Sequence, residues 1–189
     1  EDAYGNVEWA SLLYRMDWEE LYDIVDGIKC RATGSGMTEE ELRQLFDSLN
    51  IDATTARGQV VDFALSCQGK FVYAQPSSLR GGPGNPSVGI NLDCSSFVQY
   101  CYWAQNLPFS AGSTAAYRNA ADLVSIFPSE VQPGDLRVVY ASGGEQGHVQ
   151  MALGGGAWVE CCYGYGVAVN MSNAWMESRP CYYFRYAGF

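Results

Sequence analysis

A chain of 189 residues is long enough to bury one core without metal or disulfide staples, and a composition 48% hydrophobic and 14% aromatic excludes a disordered polymer. Eleven basic residues against 21 acidic ones leave a formal charge of −10, whose field repels phosphate backbones and anionic lipid, so nucleic acid is excluded as a partner. No stretch approaches the roughly 20 apolar residues that cross a bilayer. The first residue is Glu1 rather than Met, which reads as a processed protein or a piece of a longer one.

In chain order, Trp9, Leu12, Leu13 and Met16, then Leu21, Ile24, Val25 and Ile28, recur at helical spacing, with Asp17 placed to cap the second run. Small residues in "ATGSG" end the pattern. In "MTEEELRQLFDSLN", Thr38 and Glu41 form a capping box ahead of an apolar stripe of Leu42, Leu45, Phe46 and Leu49. Residues 1–55 thus read as a helical N-terminal subdomain for packing or docking, and residues 56–189 as the part that carries chemistry. A further amphipathic run, Ala56, Val60, Phe63, Ala64 and Cys67, stops at Gly69. The segment "FVYAQPSSLRGGPGNPSVG" is too rich in Pro, Gly and Ser for regular structure and reads as a functional or flexible loop.

That loop leads to "LDCSSFVQYCYW". Cys94, Phe97, Val98, Cys101 and Tyr102 share one helical stripe, which sets Cys94 in the first turn, where unpaired N–H groups and the helix dipole favour a thiolate. Asp93 suits the N-cap, although its charge works against the thiolate. Cys101, two turns on, reads as a small buried hydrophobe. The second half changes period: "DLRVVY", "HVQMAL", "AWVECC", "GVAVN" and "CYYFRY" alternate or cluster as strands between glycine-rich turns. Helices followed by four or five antiparallel strands make an α+β layout.

Seven cysteines, Cys30, Cys67, Cys94, Cys101, Cys161, Cys162 and Cys181, leave at least one thiol without a partner in the chain. No C-x-x-C occurs, and one histidine offers no zinc-ligand pattern, so neither metal nor cofactor is expected. A cysteine nucleophile needs a base, and His148 is the one histidine available. If "HVQMAL" and "AWVECC" pair across "GGG" through an odd-length loop, centred on Gly154 or Gly155, His148, Gln150 and Glu160 share a face. A two-residue loop turns Glu160 away unless a bulge intervenes. Glu160, set among Trp158, Val159, Cys161 and Cys162, needs a polar partner, which His148 supplies. Gln150 is an alternative orienting group or a substrate contact.

The series "LDCSSFVQYCYW", "VQPGDLRVVY" and "GHVQMALGGGAWVEC", preceded by "VDFALSCQGKFVYA" and followed by "CYYFRY", resembles the NlpC-type papain-like cysteine peptidases of the cell wall across residues 56–189. The resemblance implies a papain-like α+β fold, with the nucleophile at a helix N-terminus packed on a small antiparallel sheet. It implies Cys94 as nucleophile, His148 as general base and Glu160 as the residue that orients the histidine. By the same resemblance Tyr73, Asp93 and Ser95 hold the free amino end of a peptidoglycan stem peptide, which is cut after D-glutamate. An extracellular or envelope location, without metal or cofactor, follows, as does a larger membrane-attached parent protein or envelope complex.

Three departures stand out. Ser96 replaces the usual glycine and is expected to narrow the groove. Gln150 replaces a small residue, and Glu160 a commoner histidine. They motivate the competing reading of a non-catalytic wall-binding or assembly module, beside the related enzyme reading of an amidase or acyltransferase on the same scaffold. A disulfide scaffold with six of seven thiols oxidised is the third. Asn170-Met171-Ser172 fits a glycosylation acceptor.

Overall fold

The computed structural model describes residues 39–49, 51–68, 71–75, 91–142, 147–163, 166–171 and 173–189. The helices expected before residue 38, the Thr38 cap, the Gly69 stop and residues 76–90 of the Pro/Gly-rich loop lie outside these residues.

Helix α1 spans Glu39–Leu49 and α2 spans Ala56–Ser66. Thr55 caps α2 by accepting the Gly58 N–H on its hydroxyl at 3.0 Å. Gly58 is required there, since a Cβ would lie 1.9 Å from the Asp52 carbonyl oxygen. Two short parallel strands, β1 (Val72–Tyr73) and β2 (Asn91–Leu92), bring the two ends of the Pro/Gly-rich loop together. Helix α3, Cys94–Trp103, follows at once.

The rest is one antiparallel sheet of six strands: β3 (Leu123–Ile126), β4 (Leu136–Val139), β5 (His148–Gly154), β6 (Ala157–Cys162), β7 (Gly166–Asn170) and β8 (Tyr182–Tyr186), in the order β3-β8-β4-β5-β6-β7. A one-turn helix α4, Ala174–Glu177, joins β7 to β8. The sheet exceeds the four or five strands expected because edge strand β3, "LVSI", has two exposed central residues and none of the alternation that marks a half-buried strand.

The stripe on α3 is the centre of the core. Phe97, Val98, Cys101 and Tyr102 are fully buried and form one cluster with Leu136, Val138, Val149, Met151 and Val159 of the sheet and Val60, Val61 and Ala64 of α2. Each large side chain removed from water in this way contributes about 1.5–3 kcal/mol. Tyr102 satisfies its hydroxyl by donating to the Gly134 carbonyl at 2.7 Å. Asp135, fully buried, accepts from Arg57 of α2 at 3.0 Å and from Arg185 of β8 at 2.6 Å, and so ties three elements together. The expected α+β layout is therefore present, with Cys94 at the N-terminus of a helix laid on β5 and β6.

The β5–β6 hairpin corrects the odd-length loop. Its turn is two residues, Gly155 and Gly156, closed by Gly154 opposite Ala157, and all three glycines have positive φ of +100°, +58° and +85°. A register shift between Ala152 and Gly154 then restores Met151 opposite Val159, the pairing of a turn centred on Gly155. The bulge does what the odd loop was expected to do, and His148, Gln150 and Glu160 share a face.

Candidate active site

Three elements converge on Cys94. The parallel β1–β2 pair sets Tyr73 beside Leu92, two residues from the cysteine. Asp93 caps α3: its carboxylate accepts the Ser96 N–H at 2.7 Å and the Ser95 hydroxyl at 3.0 Å, while its own N–H donates to the Ser96 hydroxyl at 2.8 Å. Ser95 also reaches the Gly112 carbonyl at 3.3 Å. Ser96 is thus drawn back into the capping box and is buried, which corrects the expectation that it narrows the groove.

His148, the first residue of β5, reaches the edge of the sheet, where Cys94 hydrogen-bonds to its ring. Its Nε2 is paired with Glu160 Oε2, which leaves Nδ1 as the nitrogen for the thiol. The imidazole is 14% exposed and Glu160 is 2% exposed. Burial pushes the His148 pKa down, but hydrogen bonds and charge from Cys94 and Glu160 outweigh it and raise it from 6.5 to about 10. Imidazolium is the resting form at neutral pH, suited to standing against a thiolate.

Glu160 is enclosed by donors. Gln150 Nε2 donates to Oε2 at 2.7 Å, and Asn170 Nδ2 and Asn173 Nδ2 donate to Oε1, the latter at 3.3 Å. Gln150, expected as an orienting group or a substrate contact, has no exposed surface and turns its amide to Glu160. Sequence reasoning missed both asparagines as site residues. Asn170 is 7% exposed with its amide on Glu160, which removes it as a glycosylation acceptor. Asn173 caps α4, its Oδ1 accepting the Met176 N–H at 3.1 Å, and the cap turns its amide to Glu160. The one signal for Asn173 was its place as a capping residue before "AWME".

Aromatic rings flank the pair. Trp175 meets the His148 ring edge-on at 6.2 Å, and Tyr163, 85% exposed, stands edge-on to Tyr73 at 6.0 Å. Burial, then the charges of Cys94 and Asp93, raise the Tyr73 pKa, so its hydroxyl stays protonated as a donor. Cys94, Cys101, Cys161, Cys162 and Cys181 carry free thiols, contrary to a scaffold with six of seven oxidised. Burial is the main cause that pushes the Cys161 and Cys162 thiols up, which keeps them neutral near the site. Among the described residues no group of three or more His, Cys, Asp and Glu side chains is arranged to hold a metal ion. A cavity of about 640 Å³ lies at the other end of α3, lined by Trp103, Leu107, Pro108, Asp122 and Tyr186, roughly 14 Å of helix from Cys94.

The sequence model of the NlpC/P60 family matches residues 70–183. The peptidoglycan DL-endopeptidase CwlO of Bacillus licheniformis is 28% identical over 125 residues, 65% of this chain and 27% of its own length. This chain therefore spans about a quarter of that relative. Among solved structures, Rv1477, described as a hypothetical invasion protein of Mycobacterium tuberculosis, superposes with a TM-score of 0.52 at 25% identity, over 69% of this chain and 62% of that one. NlpC2 from Trichomonas vaginalis gives 0.54 at 18% identity, over 74% and 49%. The fold is the papain-like α+β arrangement of these structures, and the chain belongs to the NlpC/P60 family.

Proposed function

We propose that the chain is a cysteine endopeptidase that cuts peptidoglycan stem peptides between D-glutamate and the following diamino acid, with Cys94, His148 and Glu160 as its catalytic residues. The observation that carries this reading is the buried imidazole held between Cys94 and Glu160 at a helix N-terminus. The Cys94 thiolate attacks the D-glutamyl carbonyl carbon, and the oxyanion forms beside the Cys94 backbone N–H. His148 Nδ1–H gives its proton to the leaving amine as the C–N bond breaks, which leaves a thioester on Cys94. Water then attacks the thioester, His148 takes the water proton, and the acid and the thiolate are released.

Tyr73, Asp93 and Ser95 form the pole that receives the free ammonium group of the stem peptide. The Asp93 carboxylate supplies the charge and the Tyr73 hydroxyl a polar edge. The DL-endopeptidase relative supports this choice of bond. An envelope or extracellular location and a larger parent protein, as for that longer relative, belong to the same reading. Digestion of a synthetic stem tetrapeptide with a free amino end tests it by product mass. A new D-glutamate carboxyl and a free amine on the diamino acid support the endopeptidase. Release of the whole stem peptide from intact muropeptide, leaving a free lactyl carboxyl on the sugar, means an amidase instead, and no turnover of either substrate means a binding module.

A further inference from the structure

Arg137 lies within β4, 7% exposed, a cation deep in the sheet. Its guanidinium stacks over Trp158, 4.4 Å from the ring centroid, and both Nε, at 3.0 Å, and Nη2 donate to the same acceptor, Gln150 Oε1. The register that pairs Arg137 with Gln150 in the β4–β5 ladder sets this contact.

A primary amide is nearly the same shape after a half-turn, so sterics alone do not decide which end of Gln150 faces Glu160. A guanidinium only donates. With Arg137 gripping Oε1, the Gln150 Nε2 is forced toward Glu160, where it donates at 2.7 Å. A flipped amide would set its oxygen against the carboxylate, and the Glu160 to His148 bond would lose its support. Resting on the catalytic reading above, we propose that Arg137 is a positioning residue for the Cys94–His148 pair. It fixes the direction of the Gln150 amide, and through it the carboxylate of Glu160 and the ring of His148.

Among the described residues, the charge of Arg137 acts on Tyr183 and Cys181, that of Glu177 on Cys181, that of Glu160 on Cys161 and Cys162, and that of Cys94 on His148. His148 is the one histidine in the chain, so its ring proton titrates as a single resolved NMR signal that needs no substrate. The experiment is that titration in the parent, in Arg137→Met and in Arg137→Lys. Positioning predicts a His148 pKa lowered by about one unit in Arg137→Met and by less in Arg137→Lys, on the scale of outer-shell effects at such sites. Loss of a nearby positive charge without repositioning raises it instead. A rise in Arg137→Met, or a parent-like titration in both variants, overturns the proposal. If Arg137→Met does not fold, Arg137→Lys decides by the same criterion, a fall or none. A parent His148 that titrates at the ordinary value would instead sink the ion pair itself, which separates failure of the catalytic reading from failure of this one.

Discussion

His148 and Glu160 are joined across the β5–β6 ladder as a buried ion pair, imidazole Nε2 to carboxylate Oε2, and a glycine turn with a bulge sets the register that lets them meet. Glu160→Gln tests what the charge contributes. Both carboxylate oxygens accept from amide donors, so the NH2 of a glutamine must point at Gln150 and His148 or at Asn170 and Asn173. Steady-state kinetics on a stem tetrapeptide with a free amino end should show kcat/KM lowered by about 10- to 100-fold, the range for outer-shell partners of a functional histidine. Parent-like activity contradicts the role of Glu160.

His148 titrates well above the free imidazole, at about 10 against 6.5. A group whose folded pKa is raised stabilises the fold in its protonated form, so the contribution is complete below pH 6.5 and disappears as pH rises through about 10. Thermal melts of the parent should therefore lose Tm between pH 6.5 and 10 by more than those of Cys94→Ala, because Cys94 is one cause of the shift. Equal pH dependence in the two proteins contradicts the coupling.

Asn173 holds α4 with its oxygen and Glu160 with its nitrogen. Asn173→Asp keeps the cap and sets a second carboxylate against Glu160. The expected result is a Tm close to the parent's with kcat/KM at pH 7 lowered by about 10-fold, as for loss of an outer-shell partner. A large loss of Tm with unchanged kinetics would assign Asn173 to stability alone.

Asp135 is the structural counterpart, a carboxylate fully buried between Arg57 and Arg185. Asp135→Ala leaves two guanidinium groups without it and should cost about 3–5 kcal/mol in urea unfolding, the range for breaking one side of a buried pair. A cost below about 1 kcal/mol, the range of exposed pairs, would mean that solvent screens the cluster.

Helix α3 and the β5–β6 hairpin were legible because apolar periodicity and glycines are local signals. Cys94, Phe97 and Cys101 mark a stripe, and His148 and Glu160 sit twelve residues apart across one turn. That Cys94 meets His148, 54 residues on, was not legible from spacing and came from the family resemblance. Asn170 and Arg137 escaped because a polar residue within a strand resembles any other until its cross-strand neighbour is known. Gln150 was legible in position but not in burial, since the sequence does not say that both sides of β5 are covered.

The most direct measurement is digestion of stem tetrapeptides with a free amino end by the parent and by Cys94→Ala, with products identified by mass spectrometry. The account predicts cleavage at the D-glutamyl bond by the parent and none by the variant. Cleavage by both proteins would remove Cys94 as nucleophile, and cleavage by neither, across several wall chemotypes, would contradict the endopeptidase.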